Sequence, residues 1–203
     1  TAPVPSSRPS NILPEIEMSE LEKFIALCHA KGIKFSYTQN GLCMGSKEHT
    51  LERATEIGQF FRDIVNTGID AITITNPYLM EIFHLQSPKI PITVSTIANT
   101  SSIQHVRRYK ENGASKICIS QDSNRDFDLI NAIARMELGV VVVLNNPCLH
   151  MCNYQTYHYL LDSHAFDTGD GGAGFNPFPS IKCKLKKLED LSELIKSRWI
   201  RPS

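Results

Sequence analysis

The chain has 203 residues, 41% hydrophobic and 21% charged, which is ordinary for a soluble globular protein and enough to bury a core without disulfide staples. Its 21 basic and 21 acidic residues cancel, so no overall field draws it to nucleic acid, although a local patch stays open. No apolar run approaches the roughly 18–20 residues of a bilayer span, and the N-terminus lacks a signal-peptide core. The expectation is one cytoplasmic domain with no membrane span.

Residues 1–14 hold four prolines and four Ser/Thr residues and read as an extended arm, with the domain proper over 15–203. Ser19 with Glu22 reads as a capping box opening a helix whose stripe is Leu21, Phe24, Ile25 and Cys28. Gly32 ends it, and 33–38 alternates as a strand. A glycine-containing loop follows, from Gln39 through Asn40 and Cys43 to Gly45. Leu51 to Thr67 is helical by its spacing of Ile57, Phe60, Phe61 and Ile64. Strands are expected at 70–75, 92–95, 116–120 and 140–144, with helices through Met80 and Phe83, from Ser101 or Ser102 to Asn112, and from Arg125 to Met136. The last of these carries Phe127, Ile130 and Ile133 on one face.

Strand starts recur every 22–24 residues or so, and Gly32, Gly68, Gly113 and Gly139 each precede a strand, which is the spacing of βα units in a parallel sheet. No Gly-x-Gly-x-x-Gly follows a strand, which weighs against a dinucleotide fold. Polar strand ends such as Thr38-Gln39-Asn40, Ser120-Gln121-Asp122 and Asn145-Asn146 suit a ring of loops around one site. The preferred fold is α/β, a partial TIM-like (β/α)8 barrel with its first and last strands absent from this chain.

Val140 to Leu144 is an apolar run on both parities, which reads as a strand buried on both faces. It breaks at Asn145-Asn146-Pro147 into Cys148-Leu149-His150-Met151-Cys152. Past it, 153–162 is aromatic-rich and helical in pattern, 167–174 is a loop, 175–183 returns an extended segment bearing Cys183, and Leu188 to Ile195 is a last helix.

Six cysteines are too sparse for a secreted scaffold and point to a reducing compartment. Cys28 and Cys118 fit simple packing. Cys148, Cys152 and Cys183 could converge on a metal, and sulfur-only ligation favours zinc or an iron–sulfur cluster. Cys43 follows its strand as Cys148 follows its own and is the candidate fourth ligand, with His158 as the substitute. A thiol hydrolase using Cys148 or Cys152 with His150, His158 or His164 is the rival. Asp122, Arg125 and Asp126 read as a substrate-positioning loop, or Asp122 as a helix cap. The segment 181–201, with seven Lys/Arg against three Asp/Glu, reads as a solvated helix face or an RNA-facing one.

Val94-Ser95-Thr96, Gly113 to Ile117, Asn124-Arg125-Asp126-Phe127, Asn145 to Cys152 with Tyr157-His158-Tyr159, and Lys196 to Pro202 together resemble the collagenase-like peptidase family, number thirty-two of the unassigned U class. The resemblance implies a TIM-like barrel. It also implies relatives that are iron–sulfur proteins rather than proteases, supporting oxygen-independent hydroxylation of a quinone precursor or an RNA base. In these, four cysteines hold a [4Fe-4S] cluster, and Cys148, Cys152 and Cys183 match the late ones. Cys43 lies where some members carry an early ligand. The usual Cys-Pro-x-Arg reads Cys152-Asn153-Tyr154-Gln155 here.

The expectation is therefore a cluster-dependent hydroxylation or related redox modification of an RNA base, quinone precursor or peptide. Its cofactor is a [4Fe-4S] cluster, or zinc in its place, on Cys43, Cys148, Cys152 and Cys183. Asn40, Arg125, Asn145 and His158 shape the substrate pocket. The alternatives are a collagenase-like peptidase and a non-catalytic, cluster-bearing partner subunit; a partner subunit or homo-oligomer is also expected.

Overall fold

A computed structural model describes residues 16–45, 47–144, 146, 148–167 and 178–195. The expected arm over 1–14 and Asn145 lie outside them.

Helix α1 (Met18–Ala30) opens two residues earlier than the Ser19 cap predicts. Its capping box is Glu17 with Glu20, whose Oε2 accepts the Glu17 N–H at 3.3 Å. Strand β1 (Ser36–Gln39) and helix α2 (Leu51–Asn66) follow, the latter capped by Thr50, whose Oγ1 accepts the Arg53 N–H. Next come β2 (Ala71–Ile74) and α3 (Pro77–Gln86). There Asn76 caps through its side chain, and Pro77 occupies the first turn, where a missing N–H costs nothing. Then follow β3 (Ile92–Val94), α4 (Ile103–Glu111) capped by Ser102, β4 (Ala114–Cys118), and α5 (Phe127–Arg135). Asp126, not Asp122, caps α5, with the Leu129 N–H 2.9 Å from its Oδ1. Phe127 at the first position of that helix is exposed; Leu129 and Ile133 are the buried pair.

The sheet is five-stranded and parallel, in the order β1-β2-β3-β4-β5, where β5 is Gly139–Val141. Sequential order with right-handed crossovers sends every helix to the same side, whereas a doubly wound sheet reverses order at a switch point. The register bears this out. Ile74, Val94, Ile117 and Val140 are neighbours across the sheet. They pack with Phe60, Phe61 and Ile64 of α2, Met80 and Phe83 of α3, Val106 of α4 and Ile133 of α5 in one core. Phe61 and Phe83, both fully buried, meet edge to face with centroids 5.2 Å apart. Such burial is worth roughly 1.5–3 kcal/mol per side chain. The arrangement is part of a TIM-like barrel, with five strands among the described residues.

Strand β5 is shorter than the apolar run predicts. Only 139–141 pair, Val140 and Val141 are half-buried, and Leu144 is exposed. Among the described residues β5 pairs with β4 alone, so nothing covers the far side of the run. A second difference lies past the sheet. The segment expected to be extended around Cys183 is helix α7 (Phe178–Glu189), preceded by α6 (Gln155–Asp167). Pro179 falls in the first turn of α7, where it removes no helical bond. The helix expected over 188–195 is divided: α7 runs to Glu189 and a short α8 is Ser192–Ile195, with Asp190 Oδ1 accepting the Ser192 N–H.

Of the four glycines before strands, Gly32, Gly68 and Gly113 have positive φ and do end their helices. Gly113 has a second constraint. A Cβ there would lie 2.3 Å from the His84 ring, so α3 packs its imidazole directly on this backbone. We expect Gly113→Ala to lose about 1–2 kcal/mol from its left-handed conformation alone, plus the displacement of His84. A His84→Ala background should recover only the second part, read by urea unfolding.

At the opposite end of the sheet Asp70 Oδ2 accepts the Phe35 N–H at 2.7 Å and lies 2.8 Å from His29 Nε2. The Phe35 bond first, and His29 second, hold this carboxyl below its ordinary value. Its contribution is present above the unfolded value of about 4 and is lost as pH falls through the lower folded value. Acid unfolding of Asp70→Asn should therefore lack this component, and its stability should change less between neutral pH and about pH 3 than the natural chain's.

Candidate functional site

The five strands deliver their C-terminal ends to one edge of the sheet, and α6 is tied across that edge by polar side chains. Gln155 Nε2 donates to Gln121 Oε1 at 3.2 Å, and Gln121 Nε2 donates to Thr96 Oγ1 at 3.3 Å. One chain of bonds thus links α6 to the turns after β4 and β3. The loop after β1 joins from the other side. The Leu42 N–H donates to Ser163 Oγ at 3.0 Å, and that hydroxyl donates to the Tyr159 carbonyl.

The Cys148–Cys152 loop hangs between β5 and α6 on two acceptors. Asn146 Oδ1 accepts the Cys148 N–H at 2.8 Å, an Asx turn that follows directly on the strand's polar end. Asp122 Oδ1 accepts the Met151 N–H at 3.0 Å, and His150 Nδ1 lies 3.1 Å from the same oxygen. Met151 takes a left-handed backbone (φ 50), which reverses the chain between the two cysteines. Asp122 is thus not the cap of α5. It pins this loop.

Between the loop and α6 lies a shallow, open pocket of about 20 Å³. Cys148, Cys152 and Cys183 line it with His158 and Gln155, and Leu149 and Tyr154 complete its walls. Cys183 reaches it from α7, so three thiols from two separate segments share one pocket. Behind the wall, burial pushes the Tyr159 hydroxyl up, and the nearby Cys148 adds to the effect. Burial likewise raises Asp162, against the opposing pull of His158, whose Nε2 lies 3.6 Å away.

The remaining sequence candidates are placed differently. Cys43 does not line the pocket, and its sulfur accepts the Gly45 N–H at 3.2 Å. The Asn40 carbonyl accepts from Thr75 Oγ1 at the end of β1, and Arg125 is exposed on the turn before α5; neither lines the pocket. Cys118 is buried in β4, and burial pushes its thiol up, as the packing reading expects. Cys28 is half-buried on α1. Gln121 and Gln155 carry no site signal in the sequence. They are 34 residues apart, and no local pattern announces a pairing made only when α6 crosses the sheet edge.

Among the described residues no group of three or more His, Cys, Asp or Glu is arranged to hold a single metal ion. Tetrahedral zinc at Zn–S of about 2.3 Å needs sulfurs about 3.8 Å apart. The three thiols share the pocket wall, and no such tetrahedral set occurs among the described residues.

A family model described as Peptidase family U32 matches residues 11–154, a stretch that takes in Cys148 and Cys152 and stops short of His158 and Cys183. Among curated proteins the chain is similar to an uncharacterized protease, MJ1657, of Methanocaldococcus jannaschii. The two are 24% identical over 184 residues, which make up 90% of this chain and 54% of that protein. The chain thus spans about half the length of this relative. Among solved structures it is similar to the U32 peptidase Mk0906, with a TM-score of 0.72 at 16% identity, covering 89% of this chain and 73% of the other. That likeness speaks for the fold.

The polar ties yield a prediction. Gln121→Leu removes the bonds to the half-buried Gln155 amide and Thr96 hydroxyl, at a cost of about 0.5–1.5 kcal/mol for each. Because the loss falls on the α6 attachment, Cys148 and Cys152 should react faster with a thiol reagent in this variant, while buried Cys118 should not.

Proposed function

From a chain that belongs to peptidase family U32, we propose an iron–sulfur-dependent activity: oxygen-independent hydroxylation or a related redox modification of a biomolecule, such as an RNA base, a quinone precursor or a peptide. The observation that carries this reading is the convergence of Cys148, Cys152 and Cys183 on one pocket at the C-terminal edge of the sheet. A thiol hydrolase needs one activated cysteine and a base. Three thiols around one pocket form a soft donor set, which suits iron or zinc.

Cys148, Cys152 and Cys183 would hold the group, with His158 as the fourth donor, because it lines the pocket and Cys43 does not. Bound there, a cluster supplies one-electron chemistry. The protein's own part is positioning. Asn146 and Asp122 fix the backbone of the cysteine loop through the Cys148 and Met151 amides, so the thiols of the pair are presented from a constrained turn. Gln155, held by Gln121, keeps the first turn of α6 and hence His158 against the pocket. The Leu149 and Tyr154 walls restrict water on one side.

The test is an anaerobic iron and labile-sulfide assay with an absorption spectrum. The natural chain should hold about four irons and four sulfides. Cys148→Ser and Cys152→Ser should fall to background, His158→Ala should lower the yield, and Cys43→Ser should keep the cluster. Colourless, metal-free natural protein, or peptide cleavage that persists without iron, would return the peptidase reading to the front. A cluster that turns over only when another protein is added would assign a partner-subunit role.

A further inference from the structure

Tyr159 stands behind Cys148, outside the set of residues that line the thiol pocket, and it is fixed there from three directions. Its backbone carbonyl accepts the Ser163 hydroxyl, which also holds the loop after β1. Its ring stacks on that of the pocket-lining His158, with centroids 5.9 Å apart and planes 7° from parallel. Its hydroxyl hydrogen-bonds the side chains of Gln155, Gln121 and Cys148. Gln155 lies four residues before it on α6, hence on the same side of the helix.

The donors and acceptors decide which way these bonds run. A phenol has one proton to give and an oxygen that accepts, and each glutamine amide carries two N–H donors. Gln155 Nε2 gives one proton to Gln121 Oε1, and Gln121 Nε2 gives one to Thr96 Oγ1. The second N–H of each amide is what it offers the Tyr159 oxygen. Packing and the two amides therefore account for the ring and for the oxygen, but not for the phenolic proton. The third partner takes it: a cysteine sulfur, as thiolate, can only accept. Cys148 is thereby held at both ends, its amide by Asn146 Oδ1 at 2.8 Å and its sulfur by Tyr159.

We propose that Tyr159 is a positioning residue for Cys148: its hydroxyl donates to Cys148 Sγ, keeps that sulfur turned to the pocket and draws electron density from it. The contact stands on geometry alone, whereas its redox consequence rests on the cluster reading above. A hydrogen bond to a ligand sulfur favours the more negative, reduced state and so raises the reduction potential of a cluster held there.

The experiment has two arms, both on the full natural protein. The first needs no metal. Tyrosine is isotope-labelled at the hydroxyl-bearing ring carbon, and Tyr159→Phe identifies the Tyr159 resonance. Cys148→Ala should move that resonance, and Cys152→Ala should move it much less. A resonance indifferent to Cys148→Ala, or moved equally by both, overturns the proposal. The second arm is a redox titration of anaerobically iron-loaded protein. Tyr159→Phe keeps the ring, so it should take up iron as the natural chain does and titrate at a lower midpoint potential. Tyr157→Phe, at an exposed position of the same helix, should titrate as the natural chain does. Gln121→Leu, which takes one amide from the hydroxyl, should lower the potential by a smaller amount and serves if thermal unfolding shows that Tyr159→Phe does not fold. An unchanged potential in cluster-bearing Tyr159→Phe overturns the proposal. A natural chain that takes up no iron defeats the cluster reading instead, and the first arm then decides the role of Tyr159 by itself.

Discussion

Parallel pairing in sequential order is the constraint on which the rest of this structure depends. Each strand must return to the same end before the next begins, so each needs a crossover of the same hand, and every helix falls on one side. Two consequences follow at once. The core forms between the helices and one face of the sheet, where Ile74, Val94 and Ile117 meet Phe61, Met80 and Phe83. All the loops that follow strands gather at one edge, where short polar residues replace the apolar ones: Thr75, Ser95, Ser120 and Asn146 are all buried there. That edge accommodates the chemistry because the core does not depend on it.

The site edge is held by a different kind of force from the core. Fully buried Ile and Phe side chains contribute through area, and no single one sets a direction. Helix α6 is located instead by a few directed bonds: Gln155 to Gln121, Leu42 to Ser163, and Met151 to Asp122. Each is worth on the order of 1 kcal/mol net, and none is fully buried, so water can take the place of a lost partner. Such an attachment is specific in geometry and modest in strength. A pocket of three thiols needs this geometry, because the position of Cys183 on α7 depends on where α6 lies.

The sheet's two faces also divide the labour of the strands. Toward the helices the rows are Ile and Val; away from them they are Thr, Ser and Lys116. Alternation along short parallel strands of three to five residues is enough to separate a dry core from a polar opposite face. Gly139 shows the accommodation between neighbouring strands: unlike Gly32, Gly68 and Gly113 it has no positive φ, and its lack of a side chain makes room for Lys116.

Local chemistry made much of this legible in the sequence. The βα repeat, the helix-ending glycines at 32, 68 and 113, the Ser102 cap and the α2 stripe depend on residues within a turn or two of one another. The pairing of Cys148 with Cys152 is local in the same sense. What the sequence by itself left open is wherever a partner comes from far along the chain. The run 140–144 has the composition of a strand buried on both faces, but how much of it pairs depends on neighbours, and only 139–141 find one. The Asn-Pro-Phe-Pro stretch before Cys183 looks extended by propensity, yet proline costs a first helical turn nothing, and α7 forms. Asp122 satisfies the pattern of a cap, but Asp126 took that role and freed it for the cysteine loop. Cys43 was the candidate fourth donor on spacing and His158 its substitute; the crossing of α6 over the strand ends brought His158 into the pocket wall and left Cys43 outside. Periodicity and capping are short-range and can be read residue by residue. Which side chains meet at the strand ends is settled only by tertiary structure, because those bonds span loops whose closure no local pattern encodes.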